Sequence, residues 1–299
     1  MRVFLLFCFI STTIFSQTVV LKNTVIDWHT NEPVAYANIS FLNENVGVSS
    51  DENGVFSLQI NKQLLHSKVH ISCLNYKDTI VLASTLQSKP LKLQPKLYEL
   101  EEVVISKKAD RELVVDKYKR RDIRSGFSGR KGSPWTVAKY FPYKNEYESV
   151  PFLKSITVYF TSLMLRKKAR FRIRLFKIDE NTGEPSEDML KEDLIVDVKK
   201  TNGKVEVDVS KLDIVFPQEG FFIGLERLHI PYNFHERTYT RNGSREKYKD
   251  TIVAPSFGAV FTKDTIFIKN RGKWRKHYFP QEFYKGNALK PAISVTLSN

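Results

Sequence analysis

Short apolar runs separated by turn residues make up most of the chain. Several runs alternate between apolar and polar positions, as residues 55–60 and 155–160 do. A period of two is typical of β-strands that bury one face, and no helical period competes with it. Asn53-Gly54 and Asn202-Gly203 lie between such runs, and Asn-Gly favours tight hairpin turns. The pattern therefore predicts an all-β protein, with a hairpin at each Asn-Gly.

The strand signals fall into two groups, which indicate two domains. Residues 17–106 predict a small antiparallel β-sandwich, whereas residues 134–299 carry strands at a spacing of roughly 8–12 residues, which favours a sandwich or jelly roll. Residues 220–226 are apolar enough to predict a fully buried strand. Residues 107–133 are rich in Lys and Arg and poor in large apolar residues, so we interpret them as a basic linker, with a short helix at 111–121 as an alternative.

The first 16 residues have the pattern of a secretory signal peptide. One positive charge at Arg2 precedes a short apolar stretch, and Ser16 precedes the polar Gln17. The apolar stretch is shorter than the about 20 residues that a membrane-spanning helix needs. We therefore expect export, with cleavage after Ser16 and at most a peripheral association with a membrane.

Positive charge is concentrated in the second half. Residues 1–106 contain 8 Lys and Arg against 9 Asp and Glu, whereas residues 151–299 contain 27 against 18. A basic surface attracts polyanions, but nucleic acid is not the natural partner of an exported protein. An anionic envelope glycan or lipid, or an outer-membrane protein, is the expected partner. Cys73 is the one cysteine left after cleavage, and its apolar neighbours predict a buried thiol without a disulfide.

Several segments of the first domain resemble the carboxypeptidase-regulatory-like domain. The resemblance lies in residues 25–27 (Val-Ile-Asp), 31–34 (Asn-Glu-Pro-Val), 47–56 (Gly-Val-Ser-Ser-Asp-Glu-Asn-Gly-Val-Phe), 71–76 and 91–95. It implies a transthyretin-like sandwich of seven strands, which acts as an accessory module and carries no peptidase activity. It also implies an exported protein of the periplasm or the outer membrane of a Gram-negative bacterium. Asn23 and Asn75 stand where the family has glycine, and Asn tolerates the positive φ that such positions require.

The resemblance extends to proteins that carry this domain ahead of a larger unit. Residues 100–105 resemble the segment that precedes the plug of TonB-dependent receptors, but the remaining chain is too short for a plug and a barrel and lacks the repeated amphipathic strands of a barrel. Parts of the second half, from residue 171 to residue 226, are similar to the C-terminal part of exported proteins that also begin with this domain. That similarity supports a jelly-roll sandwich and implies no catalytic residues.

Three arginines form the first candidate binding site. Arg170, Arg172 and Arg174 alternate with apolar residues, so the three side chains lie on one side of a strand. Guanidinium groups suit phosphate, sulfate and carboxylate, which predicts an anion-binding face. A solvated sheet face that pairs with acidic neighbours is the alternative interpretation.

A second candidate site is a long loop at residues 229–249 that mixes aromatic and polar side chains. Sandwich loops are common binding positions, and these residues suit stacking on sugar rings. The candidates are Tyr232, His235, Tyr239 and Arg241, with Trp274 and Tyr278 from a later segment joining the same surface. Ordinary packing of the loop, and of Trp274 on a hairpin, are the alternatives.

Catalytic and metal-binding patterns are not found in the sequence. No Gly-x-Ser-x-Gly elbow, Cys–His arrangement or spaced set of metal ligands is present, so we expect no cofactor and no metal. We therefore predict a non-enzymatic binding or adaptor protein of the cell envelope. The alternatives are a carbohydrate-active hydrolase with a dispersed carboxylate pair, and a structural spacer.

Overall fold

The computed structural model describes residues 17–97, 110–161, 167–201, 203–240, 243, 245–277 and 288–299, so the predicted signal peptide lies outside the described residues. Within these ranges the chain is built from strands and short 3-10 turns, which confirms the all-β class. The turns lie at Lys62–His66, Ala83–Gln87, Arg120–Asp122, Asn145–Ser149, Ser210–Leu212 and Pro231–Asn233. No helix in the described ranges is long and apolar enough to cross a membrane.

Seven strands form the first domain as a two-layered sandwich, as predicted. They are β1 (Thr18–Asp27), β2 (Asn38–Phe41), β3 (Gly47–Ser49), β4 (Val55–Asn61), β5 (Lys68–Ser72), β6 (Thr79–Leu82) and β7 (Leu91–Leu93). One sheet has the order β4-β1-β7 and the other the order β3-β2-β5-β6. The core between the layers includes Leu21, Ile39, Phe41, Val69 and Ile71, all of which are fully buried.

The turn at Asn53-Gly54 forms, but it does not connect a hairpin. Gly54 has φ +72°, and a Cβ there would lie 2.6 Å from the carbonyl oxygen of Val25, so only glycine fits. Its flanking strands β3 and β4 belong to opposite sheets, so the predicted hairpin is wrong at this position. Asn75 has φ +66°, as the comparison with the family's glycine predicts.

The second domain contains sixteen strands within the described residues. They are β8 (Glu112–Val115), β9 (Ser125–Phe127), β10 (Trp135–Phe141), β11 (Phe152–Tyr159), β12 (Ala169–Ile178), β13 (Pro185–Asp188), β14 (Leu194–Val198), β15 (Lys204–Asp208), β16 (Phe221–Arg227), β17 (Phe234–Thr240), β18 (Lys247–Val253), β19 (Phe257–Thr262), β20 (Ile266–Asn270), β21 (Lys273–His277), β22 (Ala288–Pro291) and β23 (Ile293–Ser298). The predicted buried strand is β16, in which every residue is buried.

These strands form the predicted β-sandwich, and its jelly-roll type stays a prediction. The larger sheet has the order β13-β12-β16-β10-β20-β21, and β14 also pairs with β12. The groups β15-β11-β23-β8 and β22-β19-β9 supply the other strands, and β17-β18 is a separate hairpin. Phe171, Ile173, Leu225 and Ile293 lie fully buried in the apolar core.

The hairpin predicted at Asn202-Gly203 does not form. The strands on either side of Asn202-Gly203 do not pair with each other, because β14 pairs with β12 while β15 pairs with β11. Gly203 does adopt φ +84°, so the turn exists but carries the chain from one sheet to the other. Alternating residues and a turn predict strands and a bend, but they do not identify the partner strand.

The predicted basic linker contributes strands to the second sandwich. β8 pairs with β23, and β9 pairs with β19. Phe127 enters the core, and Asp116 lies 2.7 Å from the buried ammonium group of Lys139. The sequence did not predict β8 and β9, because each has only three or four residues and many charged residues lie around them.

The two domains contact each other through polar and apolar groups. The backbone N–H of Ser49 donates to the carbonyl oxygen of His229 at 3.0 Å, and the N–H of His229 donates to Ser49 Oγ at 2.9 Å. Beside this pair, Tyr36 packs with Leu228 and Ile230 in a small apolar cluster. The first domain therefore covers part of the outer face of the larger sheet.

Candidate functional site

The structure places the predicted arginine row beneath the first domain. Arg170, Arg172 and Arg174 lie on one side of β12, as the alternation predicts. Arg172 has no exposed surface, and the Arg174 side chain is 6% exposed. The prediction of an anion-binding face is therefore wrong for these two residues, because the first domain and acidic side chains of the second enclose them.

Glu226 is the centre of this buried cluster. It lies opposite Arg172 in the register between β12 and β16, and its own side chain has no exposed surface. Its Oε1 accepts from Arg172 Nη1 at 2.8 Å and its Oε2 from Arg174 Nη1 at 3.2 Å. Asn38, from the first domain, donates to the same Oε1 at 2.8 Å. One carboxylate thus joins two strands of one domain to the other domain.

Further carboxylates complete the cluster within the second domain. Arg172 Nε lies 2.9 Å from Asp193, and Arg174 Nη2 lies 2.5 Å from Asp188. Burial alone would raise the pKa of Glu226, but Arg172 and Arg174 outweigh it, so that pKa lies below its usual value. The carboxylate of Glu226 is therefore ionised, and Arg172 and Arg174 compensate its charge.

Arg170 lies at the edge of the interface, where its side chain is 22% exposed. Its Nη2 donates to Asp197 at 2.8 Å, and its Nη1 donates to the hydroxyl of Tyr36 at 2.8 Å. Glu52 of the first domain approaches the same guanidinium at 3.5 Å. Arg170 therefore connects the domains from the side, and its hydrogen-bonding groups already have partners.

The predicted aromatic loop is in fact a 3-10 turn followed by the hairpin β17-β18. Tyr232 stacks under Arg170 with 4.9 Å between ring centroid and guanidinium, and its hydroxyl donates to Asp197 at 3.0 Å. His235 Nε2 lies 3.0 Å from the carbonyl oxygen of Lys168. Tyr239 pairs with Tyr248 across the hairpin, at 5.9 Å between the rings. Among the candidate residues of this loop that the structure describes, only Tyr232 contacts the arginine row.

Trp274 does not join that surface. It lies on β21 and packs edge to face against Phe176 at 5.1 Å, in an apolar cluster with Phe222 and Phe267. The position of Trp274 agrees with the alternative interpretation, in which this residue packs on a hairpin. Arg241 and Tyr278, the remaining predicted binding residues, lie outside the described residues.

An open depression lies between the hairpin and residues 130–131. Its volume is about 410 Å³, and it is lined by Arg130, Lys131, Glu236, Lys249, Asp250 and Thr251. Arg130 Nε lies 2.5 Å from Asp250, and Lys131 Nζ lies 4.4 Å from the ring centre of Phe234. Three cationic and two anionic side chains line this depression, which leaves it with one net positive charge.

Beneath the depression lies an arginine that the sequence analysis did not select. Arg227 has no exposed surface, and its guanidinium stacks on Trp135 at 4.7 Å. Its Nη2 reaches only the carbonyl oxygen of Arg130, at 3.5 Å, while Nε and Nη1 have no hydrogen-bond partner. Burial lowers its pKa to about 9. The available sequence signal was the Glu226-Arg227 pair at the end of an otherwise apolar strand.

Among the described residues, no group of His, Cys, Asp and Glu has the geometry of a metal site. Cys73 is buried, as predicted, and burial raises the pKa of its thiol to about 11. Its sulfur lies 3.9 Å from Arg172 Nη2. A thiol in this setting is protonated at neutral pH and therefore a poor nucleophile.

Comparisons with known proteins give one family match and six matching solved chains, two of which follow. In the structural matches, 56% of this chain aligns with 33% of the cysteine protease and lectin-like domains of Cwp84, a surface layer associated protein of Clostridium difficile, at 11% identity and a TM-score of 0.35. The clostridial cysteine protease Cwp84 after propeptide cleavage aligns over 65% of this chain and 42% of its own length, at 12% identity and a TM-score of 0.38. The aligned part is thus less than half of either solved chain. No curated protein matches this chain.

The family match covers the first domain. Residues 21–105 match the family model of the CarboxypepD_reg-like domain. The structure of this segment, with its seven strands in two sheets, agrees with the sequence resemblance. The first domain of this chain is therefore a carboxypeptidase-regulatory-like domain, followed by a second β-sandwich.

Proposed function

We propose that this chain is a non-enzymatic binding or adaptor protein of the bacterial cell envelope, which contacts an anionic glycan, a lipid headgroup or a partner protein. A carboxypeptidase-regulatory-like domain and a β-sandwich are compatible with a binding or adaptor module. The observation that carries the finer proposal is the distribution of charge in the second domain. The buried Arg172 and Arg174 are paired with carboxylates, whereas Lys131 and Lys249 are exposed and line the depression, with Lys247 exposed two residues before Lys249.

The buried polar interface supports an adaptor role. Asn38 and Tyr36 of the first domain bond to Glu226 and Arg172 of the second, so a separation of the domains would expose buried charges. Leaving such charges without their partners costs several kcal/mol. The two sandwiches therefore present their outer surfaces in a fixed relation to each other, which suits a protein that connects two partners.

A binding measurement at two salt concentrations tests the proposal. Residues 17–299 are passed over beads coated with lipopolysaccharide at about 0.1 M and about 1 M salt, between which the Debye length falls from about 10 Å to about 3 Å. We expect capture at low salt and release at high salt. Absence of capture at low salt would contradict the proposed anionic partner.

A matched pair of double variants locates the contact. Lys247→Glu with Lys249→Glu reverses two exposed charges of the hairpin, and Lys22→Glu with Lys62→Glu reverses two exposed charges of the first domain. The hairpin variant is expected to lose capture and the first-domain variant to retain it. Equal loss in both variants would show that net charge alone, and not this surface, governs binding.

Export is a separate part of the proposal. It rests on the signal-peptide pattern of residues 1–16. N-terminal sequencing of the protein from the envelope fraction of the producing cells is expected to begin at Gln17. Recovery of the intact chain from the cytoplasm would refute export while leaving the binding surface to be judged by the bead experiment.

A further inference from the structure

The last two residues of β16 have opposite electrostatic situations. Glu226 and Arg227 are neighbours on one strand, so their side chains point to opposite faces of the sheet. Glu226 faces the first domain and bonds to Arg172, Arg174 and Asn38. Arg227 faces the interior of the second sandwich, where no carboxylate among the described residues pairs with it and burial lowers its pKa. The strand therefore ends on a buried cation without a counter-charge.

An uncompensated buried guanidinium is costly. The effective penalty for removing one ion from water is several kcal/mol, and Arg stays protonated at neutral pH even when its pKa falls to about 9. Stacking on the partly buried Trp135 recovers part of this cost through a cation–π contact at 4.7 Å. His229 adds no further positive charge, because burial and the nearby Arg227 lower its pKa to about 3 and keep its ring neutral.

This guanidinium lies against the backbone of Gly129 and Arg130. A Cβ at Gly129 would lie 3.0 Å from Arg227 Nη2, so the chain crosses directly over the side chain. The next residue, Arg130, supplies the carbonyl oxygen that Nη2 reaches, and its side chain lines the depression on the outer side. Gly129 and Gly132 flank the two basic residues of this covering segment, and glycine allows a backbone to change conformation at low steric cost.

We propose that Arg227 and the overlying depression form a binding site for a phosphate monoester. The net charge on the lining residues is one positive, and Arg227 adds a second. A phosphate monoester carries about 1.5 to 2 negative charges at pH 7, so one such group neutralises the site. After the segment 129–132 shifts, its oxygens accept from the fork formed by Nε and Nη2 of Arg227, and Lys131 and Lys249 complete the shell. The inference deepens the proposed function by naming the anionic group that the envelope partner presents.

Calorimetric titration of residues 17–299 tests the site without an envelope partner. The probes are inorganic phosphate and glucose 6-phosphate, which represent a free anion and a sugar-linked phosphate, with chloride at matched ionic strength as the reference. Saturable binding of either phosphate and none of chloride is the expected result. Absence of saturable binding to the wild-type chain would overturn the proposal, whatever the lipopolysaccharide beads show.

The variant Arg227→Met links binding to the buried side chain. It is expected to weaken phosphate binding about tenfold or more, since one hydrogen bond to a charged group contributes about 1.5–3 kcal/mol. It is also expected to melt at a higher temperature than the wild type in phosphate-free buffer, because an uncompensated charge is removed. Lys204→Met, at an exposed position of β15, is the control and should bind phosphate unchanged. Equal affinities in the wild type and Arg227→Met would refute the assignment.

The proposal remains testable if Arg227→Met does not fold. Arg227→Lys keeps a positive charge but removes two of the three donor nitrogens, and it is expected to weaken phosphate binding without raising the melting temperature. Undiminished binding in this variant would assign the phosphate response to the surface lysines and overturn the site. Lipopolysaccharide capture that persists in Arg227→Met, together with loss of phosphate binding, would support both the site and a separate contribution of the exposed charges.

Discussion

Replacement of Glu226 by Gln is the sharpest test of the buried network. The substitution keeps the size of the side chain but removes its charge and turns one of its two acceptors into a donor. In the wild type both oxygens accept, from Arg172 and Asn38 at 2.8 Å and from Arg174 at 3.2 Å. In Glu226→Gln the new amide N–H groups face other donors, so at least one of these bonds is lost.

The expected loss in the free energy of unfolding depends on the carboxylates that Arg172 and Arg174 still have as partners. Removing one partner of a buried ion pair costs about 3–5 kcal/mol. Arg172 and Arg174 each keep a second carboxylate, Asp193 at 2.9 Å and Asp188 at 2.5 Å, so neither is left without a counter-charge. We therefore expect the lower end, a loss of about 3 kcal/mol in the free energy of unfolding at pH 7.

The pH dependence of this loss has a definite sign. The pKa of Glu226 is lowered in the folded protein relative to its usual 4.5, so its ionisation stabilises the fold above that pH. The contribution disappears as the pH falls through the folded-state pKa. The difference between the wild type and Glu226→Gln should therefore be constant near neutral pH and shrink in strong acid.

Urea unfolding followed by circular dichroism measures the difference. Glu187→Gln is the control, because Glu187 lies exposed on β13 and its substitution should change the free energy of unfolding by less than about 0.5 kcal/mol. A loss of less than about 1 kcal/mol for Glu226→Gln would refute the reasoning. It would mean that the arginines and their other carboxylates compensate fully for the missing charge.

Three further substitutions probe other features of the structure. His229→Gln should make the free energy of unfolding less sensitive to acid, because the pKa of His229 is lowered from 6.5 to about 3 in the folded protein and only the unfolded chain binds the proton between these two pH values. At pH 5 the wild type should have lost about 2 kcal/mol of its free energy of unfolding relative to pH 8. Equal pH profiles of the two proteins would contradict this. Asn38→Ala should lower the free energy of unfolding by about 1–3 kcal/mol and increase cleavage between the domains in limited proteolysis, because Glu226 loses a hydrogen-bond donor. Unchanged cleavage would show that the other contacts are sufficient to hold the domains together. Gly54→Ala should lower the melting temperature more than Gly203→Ala does. Both glycines have positive φ, but of the two only Gly54 has a carbonyl oxygen 2.6 Å from the position of a Cβ. Equal melting temperatures of the two variants would contradict the steric argument.

Local patterns predicted the strands but not their partners. Alternation placed Arg170, Arg172 and Arg174 on one side of β12 and located the buried strand β16. Asn-Gly marked the turns at Gly54 and Gly203, where positive φ is observed. In each turn the chain passes to another sheet, which depends on packing between residues far apart in sequence. A period of two and a turn residue carry no information about that packing.

The candidate site shows the same limit more clearly. A row of arginines on a strand has the same local pattern whether solvent or a second domain covers it. Here Tyr36 and Asn38, more than 130 residues before Arg172, supply the cover. The charge pattern of the second half predicted a basic surface, but it did not distinguish the arginines that acidic residues neutralise from the lysines that stay exposed.

The contrast between Glu226 and Arg227 relates the structure to its proposed function. A carboxylate in the interface meets three donors, so this face of the sheet is suited to holding the domains together and has little capacity to bind another anion. On the opposite face, the guanidinium of Arg227 has two nitrogens without a hydrogen-bond partner. Burying its charge is unfavourable, and no carboxylate in the described part of the chain compensates that charge. A polar group that is costly to bury is more readily explained by a ligand that reaches it than by a contribution to stability. Because the two side chains are neighbours on one strand, the joint between the domains and the proposed phosphate site share a single structural element.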